Sequence, residues 1–328
     1  MHEHWIERSP NTIKGYASDL ALYFTFDEVH NLAWTALDNE TLGRLIAWLR
    51  TPDKRLVRRT NPAGIRTKAT VNRALAAVAG LALFLHDATG DQVYAHLRKT
   101  ARVRENRFGE TSSTEVRVGP RLRPEKKSPD VLSDTDVAAI LESCLTLRDR
   151  FLFSILNETG MRIGQALLLR HEDIRVQASS IWVQRRQGEP RDRHELLQNK
   201  SEHFAEVPVP PWLIRLYAAY MNSEYGMLDC DFVFVNLWAG RLGERMSYPA
   251  IDKLVGRLQR RTGVTGWSAH TFRHTYVTRL LNAGVSPEVV AHLVTHASVV
   301  TTLNTYSHAN VEKIRAQLIR TGAWTDGR

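Results

Sequence analysis

The chain has 328 residues, 43% of them hydrophobic and 24% charged, which suits a soluble globular protein of two domains. Two cysteines without a surrounding motif argue against a disulfide framework and favour a reducing compartment, so we expect a cytoplasmic protein. We expect no signal peptide and no membrane span. The net charge of +9 and the pI of about 9.7 favour a polyanionic partner.

Two segments of the first hundred or so residues carry apolar residues at helical spacing. In "SPNTIKGYASDLALYF", Ser9 and Pro10 suit a helix start. The pattern that follows is Ile13, Tyr16, Leu20, Tyr23 and Phe24. "TVNRALAAVAGLALFLHDATG" repeats it, and Gly90 is a stop signal. We therefore predict an all-helical domain over residues 1–110.

Residues 111–130 are rich in Ser, Thr, Pro and charge without apolar periodicity, which is typical of a linker. A second domain then spans residues 131–328, where Ser133 and Asp136 form a near capping box. "IWV" and "AEVPV" predict two strands around a long polar tip, and the pattern is helical again from residue 250. The expected fold is mainly α, with an all-helical first domain and an α+β second domain that has a small sheet or hairpin.

Basic residues concentrate in two stretches, residues 54–68 and 98–127, and the second has ten of them against four glutamates. Such stretches suit a surface that follows a nucleic-acid phosphate backbone, although solvated faces are the alternative interpretation. The candidate DNA contacts are Arg55, Arg58, Arg59, Arg66, Lys68, Arg73, Arg121, Arg123, Lys126 and Lys127.

The sequence has no Gly-rich phosphate loop, G-x-S-x-G motif or CxxC pair. It has Arg, Lys, His and Tyr residues that could act on a phosphodiester without a metal or cofactor. Arginines clamp phosphate oxygens, a tyrosine hydroxyl attacks phosphorus, and a lysine protonates the leaving oxygen. His292 and His296, four residues apart, leave a zinc enzyme as an alternative, but the motif lacks the metalloprotease glutamate and a third ligand.

Three motifs resemble the tyrosine recombinase (phage integrase) family. "TGMRIGQALLLRHEDI", residues 159–174, resembles its first arginine motif, and "HTFR", residues 270–273, resembles its H-x-x-R box. "HASVVTTLNTYSHA", residues 296–309, resembles its final His-to-Tyr segment, and Lys200 precedes a "VPVP" strand as the family's hairpin lysine does. The two N-terminal helical patterns are similar to the helices of its SAM-like core-binding domain.

The resemblance implies roles for four residues at the scissile phosphate. Arg162 and Arg273 would bind the phosphate, His270 would assist proton transfer and orient it, and His296 would hydrogen-bond a non-bridging oxygen. Two more residues would complete the chemistry. Tyr306 would be the nucleophile of a 3′-phosphotyrosyl link, and Lys200 would protonate the leaving 5′-hydroxyl.

The resemblance also implies strand exchange through a Holliday junction, with four protomers on two inverted-repeat core sites and neither ATP nor a metal. Residues 310–324 would pass to a neighbouring protomer as an exchanged segment; a terminal helix on its own domain is the alternative. An accessory or directionality factor is compatible with this scheme. We expect no separate arm-site domain ahead of the first helix.

The sequence departs from the family pattern at Gln165, where an acidic residue is usual, and at Thr295, where a glycine usually ends a helix in the left-handed conformation that threonine disfavours. The intervals from His296 to Tyr306 and from Arg162 to Lys200 are also longer than in the commoner forms. These departures favour a mobile-element recombinase over a chromosome-dimer resolvase. A non-catalytic DNA-binding protein on the same scaffold and a type IB topoisomerase stay open as alternatives.

Overall fold

The computed structural model describes residues 10–35, 37–57, 61, 63–89, 98–100, 104–105, 111–112, 115–117, 120–123, 130–184 and 205–295. The chain divides into two compact units, Met1–Lys126 and Lys127–Arg328. This division lies inside the segment predicted to be a linker. The domain bounds at residues 110 and 131 themselves stay predictions.

Three helices build the N-terminal unit: α1 at Pro10–His30, α2 at Asn39–Leu49 and α3 at Lys68–Thr89. A 3₁₀ turn, Lys54–Leu56, lies between α2 and α3. The helix α2 begins after Asp38, whose carboxylate accepts a hydrogen bond from the Thr41 amide at 2.7 Å. The core contains residues of all three helices, including Tyr23, Phe26, Leu45, Leu49, Val71 and Val78.

The predicted start of α1 at Pro10 and the helical pattern of α3 are both confirmed. Ser9 and Gly90 lie outside the described residues. Within the predicted stripe of α1, Tyr23 is buried, but Ile13 and Phe24 are each more than two-fifths exposed. The Phe24 ring instead meets the Trp34 ring edge-on, 6.3 Å between centroids. Helical spacing therefore identified the element but not every buried position.

The segment Lys68–Leu85 of α3 is long and apolar enough to cross a membrane, by length and composition only. This finding qualifies our expectation that the chain has no membrane span. The buried residues of α3 pack into the N-terminal core, and Arg73 in the same helix donates two hydrogen bonds to the buried Asp19. These contacts are those of a core helix.

Four short strands follow in residues 98–117, where the sequence predicted none. Strand β1 (Arg98–Thr100) pairs antiparallel with β4 (Glu115–Arg117), and β2 (Arg104–Glu105) pairs antiparallel with β3 (Thr111–Ser112). The segment thus doubles back on itself. Its strands are rich in charged residues, which have low strand propensity, so local pattern did not indicate them.

The C-terminal unit is mostly helical. Its elements are α4 (Asp134–Glu142), α5 (Leu147–Thr159), α6 (Ile163–Leu167), a 3₁₀ turn (His171–Asp173), β5 (Ile174–Arg175), β6 (Ser180–Val183), β7 (Ala205–Pro208), α7 (Pro211–Tyr220), a π turn (Met221–Tyr225), α8 (Tyr248–Thr262), α9 (Ala269–Asn282) and α10 (Pro287–Leu293). The predicted capping box is confirmed, because the Asp136 amide donates to Ser133 Oγ at 3.1 Å and the Ser133 amide to Asp136 Oδ2 at 3.3 Å.

Strands β5, β6 and β7 form one antiparallel sheet in that order, with Ile181 opposite both Ile174 and Val207. The two predicted strands are therefore confirmed as neighbours; the tip between them lies outside the described residues. Helix α5 is the centre of the unit, since most of its residues are buried and it packs against α7 and α9. The expected fold class, mainly helical with a small sheet, is confirmed.

Candidate active site

The turn from α5 to α6 depends on Gly160. This residue ends α5 in the left-handed conformation, with φ of +60°. A Cβ atom there would overlap Cδ1 of Tyr276, at a separation that no real contact allows. Only glycine fits, and it directs the chain to Arg162, the N-cap residue of α6.

Arg162 is anchored through its backbone. Its amide donates to Oε1 of Gln165 at 2.7 Å, and its carbonyl accepts from the Gln165 amide at 2.8 Å. Burial of the guanidinium lowers the pKa of Arg162. Nη1 is buried and has no hydrogen-bond partner among the described residues. A buried cationic donor of this kind is what an anion such as phosphate would satisfy.

Arg273 lies on α9 and is 2% exposed. Its Nη1 donates to the Gly160 carbonyl at 2.9 Å and its Nη2 to the Val294 carbonyl at 2.6 Å. Gly160 ends α5 and Val294 ends α10. The carbonyl ends of helices carry partial negative charge, so both stabilise the buried guanidinium and fix its plane.

His270 and His274 lie one turn apart on α9, with ring centroids 4.6 Å apart. His270 as a whole residue is exposed, yet desolvation of its imidazole first, and then the positive charges of His274, Arg273 and Arg162, lower its pKa to about 4. Burial and Arg273 also lower the pKa of His274, against the opposing charge of Asp130. The lowered pKa values favour the neutral form of both imidazoles at pH 7, and a neutral imidazole can accept a proton.

Thr295 follows α10 in the left-handed conformation, with φ of +53°, and its amide donates to the His292 carbonyl at 3.0 Å. The helix end that the family makes with glycine is thus retained despite the threonine. Nε2 of Gln165 donates to Oγ1 of Thr295 at 2.9 Å, and both side chains are buried. The two departures from the family pattern are in direct contact.

The structure brings Arg162, His270 and Arg273 together, since the charges of both arginines act on His270. Lys200, His296 and Tyr306 lie outside the described residues, as does the predicted exchange segment 310–324. Sequence reasoning had missed Gly160. Its signal was a glycine two residues before an arginine, at the end of an apolar helix.

The described residues contain no group of three or more His, Cys, Asp and Glu side chains that could hold a metal ion. His292, one member of the suggested zinc pair, is exposed on α10. The alternative of a zinc enzyme therefore gains no support from the part of the chain that the structure describes.

Among the candidate DNA contacts, several cations have intramolecular partners. Arg55 and Arg66 both pair with Asp53, at 3.1 and 3.4 Å, and the Arg66 side chain is only 11% exposed. Arg73 pairs with Asp19 at 2.7 Å. Lys68 is half-buried. The remaining candidates of these stretches lie outside the described residues: Arg58, Arg59, Lys126 and Lys127.

Arg121 and Arg123 are exposed on either side of Leu122. The Leu122 amide donates to Oδ1 of Asn72 at 2.9 Å, and Nδ2 of Asn72 donates to the Leu122 carbonyl at 2.8 Å. Leu122 also packs against the N-terminal core. The two arginines are thus presented from a fixed point on α3.

Comparison with known proteins agrees with this geometry. Residues 130–313 match the profile described as the phage integrase family. Transposase A from transposon Tn554 of Staphylococcus aureus is 30% identical over 314 residues, 94% of this chain and 85% of the relative. Tyrosine recombinase XerD of Mycobacterium leprae (strain TN) is 30% identical over 210 residues, 58% of this chain and 60% of the relative.

Among solved structures, the Tn1549 transposon integrase in complex with transposon right end DNA shares the fold. Its TM-score is 0.69 at 17% identity, over 98% of this chain and 96% of that chain. Taken with the family match over more than half of the sequence, these likenesses identify the chain. It belongs to the phage integrase family of tyrosine recombinases, and it is a site-specific DNA recombinase.

Proposed function

We propose that this recombinase moves a mobile genetic element by cutting and rejoining duplex DNA at short inverted-repeat core sites. Two observations support a mobile element. The relative that aligns over 94% of the chain is a transposase, and a structural neighbour is a transposon integrase bound to a transposon end. The net charge of +9 suits a DNA partner.

Two observations carry the assignment of the site: Nη1 of Arg162 is buried without a hydrogen-bond partner among the described residues, and the buried Arg273 is held in place by two backbone carbonyls. We assign both guanidinium groups to the non-bridging oxygens of the scissile phosphate. Charge on those oxygens grows as phosphorus is attacked, and fixed cationic donors stabilise it without reorganising. Because Arg273 is held by two backbone carbonyls, its orientation is set before DNA arrives.

In the proposed reaction the hydroxyl oxygen of Tyr306 attacks phosphorus, a Tyr–O–P bond forms, and the bond from phosphorus to the 5′-oxygen breaks. Neutral His270 assists removal of the tyrosine proton, and Lys200 gives a proton to the leaving 5′-oxygen. His296 donates to a non-bridging oxygen. The reverse attack by a 5′-hydroxyl of a second strand releases Tyr306 and joins the strands, so neither ATP nor a metal is consumed.

Assembly and location are part of the same proposal. Four protomers act on two paired sites in the cytoplasm, in association with the nucleoid, and residues 310–324 pass between neighbours. A Holliday junction forms after the first pair of strand exchanges. An accessory or directionality factor would bias integration against excision.

The test identifies the DNA site and the chemistry in one experiment. Purified protein is incubated with sheared DNA from its own source and quenched with SDS, and the protein-linked fragments are recovered and sequenced at their ends. Tyr306→Phe runs in parallel as the matched control. We expect linked fragments from wild type alone, with ends that converge on one short inverted repeat.

Other outcomes point to the alternatives. DNA binding by gel shift without linked fragments would indicate a non-catalytic DNA-binding protein. Linked fragments and relaxed supercoils without joined segments from different sites would indicate a topoisomerase. Covalent attachment that survives Tyr306→Phe would overturn the assignment of the nucleophile.

A further inference from the structure

We infer that Gln165 and Thr295 act as one positioning pair, which fastens the chain at its entry into His296 to the turn that carries Arg162. The inference rests on the proposed roles of Arg162, Arg273 and His296. Neither member of the pair is assigned to contact DNA. Gln165 acts through Arg162, and Thr295 acts through His296.

Both ends of the Gln165 amide are used. Oε1 accepts from the Arg162 backbone amide at 2.7 Å, so Nε2 is the end left to face Thr295, and it donates to Oγ1 at 2.9 Å. Gln165 is 4% exposed and Thr295 is 2% exposed, so water does not compete for either bond. A carboxylate at position 165 has no donor and would require the threonine hydroxyl to donate instead.

The pair acts at a strained point of the backbone. A β-branched residue at φ of +53° is disfavoured, because its Cβ crowds the following carbonyl. The buried hydrogen bond from Gln165 opposes that strain and holds the conformation in which the chain leaves α10. A glycine at position 295 would remove the strain but would also leave the buried Gln165 amide nitrogen without this acceptor.

Two successive residues are therefore tied to the two arginine motifs. The Val294 carbonyl accepts from Arg273 at 2.6 Å, and the Thr295 hydroxyl is linked through Gln165 to the Arg162 backbone. Thr295 directly precedes His296 in the sequence, so these contacts fix the described end of the chain next to the residue proposed to bind a non-bridging oxygen. The two departures from the family pattern, Gln165 and Thr295, thus compensate each other through the hydrogen bond between them.

The experiment uses the full chain and the DNA site recovered by covalent capture. Thr295→Val keeps the shape and the β-branch but removes the hydroxyl, and Thr295→Ser keeps the hydroxyl. Gln165→Met keeps the length of the side chain and removes both hydrogen bonds. The fourth variant combines Thr295→Val with Gln165→Met. Covalent complex formation is timed in single turnover at saturating DNA, with DNA affinity and thermal unfolding measured beside it.

We expect Thr295→Ser to cleave near the wild-type rate and Thr295→Val to cleave roughly tenfold slower, with unchanged DNA affinity. Gln165→Met should be slower than Thr295→Val, because it also releases the Arg162 amide. The combined variant should be no slower than Gln165→Met alone, since the valine then removes a bond that is already lost.

Two results would overturn the proposed pair while leaving the recombinase function intact. One is a wild-type cleavage rate in Thr295→Val. The other is a rate loss in the combined variant equal to the product of the two single losses, which would show that the two residues act independently. If the cleavage rate of every variant, Thr295→Ser included, fell in proportion to its unfolding temperature, the contact would only stabilise the fold. That result would also overturn the proposed positioning role. A wild type that forms no covalent complex at the captured site would overturn the proposed function and this inference with it.

Discussion

Arg273 donates a hydrogen bond from Nη1 to the carbonyl oxygen of Gly160 at 2.9 Å, across 113 positions of sequence. The glycine that turns the chain toward the first arginine therefore also orients the second. The two arginines proposed to bind phosphate share one backbone support, and a change in the turn is expected to disturb both of them.

Gly160→Ala tests that relationship. The added Cβ would overlap the Tyr276 ring in a left-handed residue, so we expect a loss of about 2–4 kcal/mol in the free energy of unfolding and a larger loss of cleavage rate than of DNA affinity. Gly263→Ala is the matched control. Gly263 ends α8 at φ of +75°, and a Cβ atom added there would have no other atom within 4 Å. The substitution should therefore cost only the conformational strain, about 1 kcal/mol. Urea unfolding of both variants gives the comparison. Equal losses would show that the contact with Tyr276 is not limiting.

Arg273→Lys should cleave DNA at least ~100-fold more slowly, with little change in DNA affinity, because a lysine cannot span both carbonyls and present a planar fork to phosphate. Arg279→Lys is the control on the same helix. Arg279 donates to the Asn157 carbonyl at 3.0 Å and is more than a third exposed, so a lysine there should leave the cleavage rate nearly unchanged. Similar rates for the two variants would argue against the assigned role of Arg273.

The imidazole of His270 should titrate well below the ordinary histidine pKa of about 6.5, near 4. Histidine NMR on the DNA-free protein measures it, with His270→Gln to assign the resonance. His274→Phe removes a neighbouring positive charge and should raise the midpoint. A midpoint at 6.5 in wild type would contradict the electrostatic picture of the site.

The lowered pKa values of His270 and His274 should make the stability of the fold depend on pH. The folded-state pKa of His270 and of His274 is lowered, so the unfolded chain binds their protons first as the pH falls. Their contribution to the free energy of unfolding should be complete above about pH 6.5 and decline toward pH 4. Urea unfolding of wild type and the His270→Gln/His274→Phe double variant at pH 7.5 and pH 5 checks this: wild type should lose more stability between the two pH values.

Asn72→Ala should release the segment that presents Arg121 and Arg123, because it removes both hydrogen bonds to Leu122, worth about 1–3 kcal/mol together. We expect faster tryptic cleavage after Arg121, identified by mass spectrometry, and weaker DNA binding; Pro124 protects the bond after Arg123 from trypsin in either case. Asn39→Ala, at an exposed site on α2, is the control. Unchanged cleavage in Asn72→Ala would show that Leu122 is held by packing alone.

Much of the secondary structure, and three residues of the candidate site, could be predicted from the sequence. The start of α1 at Pro10, the capping box of Ser133 with Asp136, and strands β6 and β7 follow from patterns within a few residues, where propensity and capping act. Arg162, His270 and Arg273 were found through motifs of the same short range. The paired strands of residues 98–117 were not predicted, because their charged sequence carries no periodic apolar pattern.

By itself, the sequence determined which local elements form and which residue types are available for phosphate chemistry. Only the tertiary structure decided how those residues are supported. The contact of Gln165 with Thr295, the carbonyls that hold Arg273, and the pairing of Arg66 with Asp53 join residues between 13 and 130 positions apart. Hydrogen bonds and burial depend on what packing brings within about 3 Å, and that proximity is a property of the folded chain rather than of any short segment.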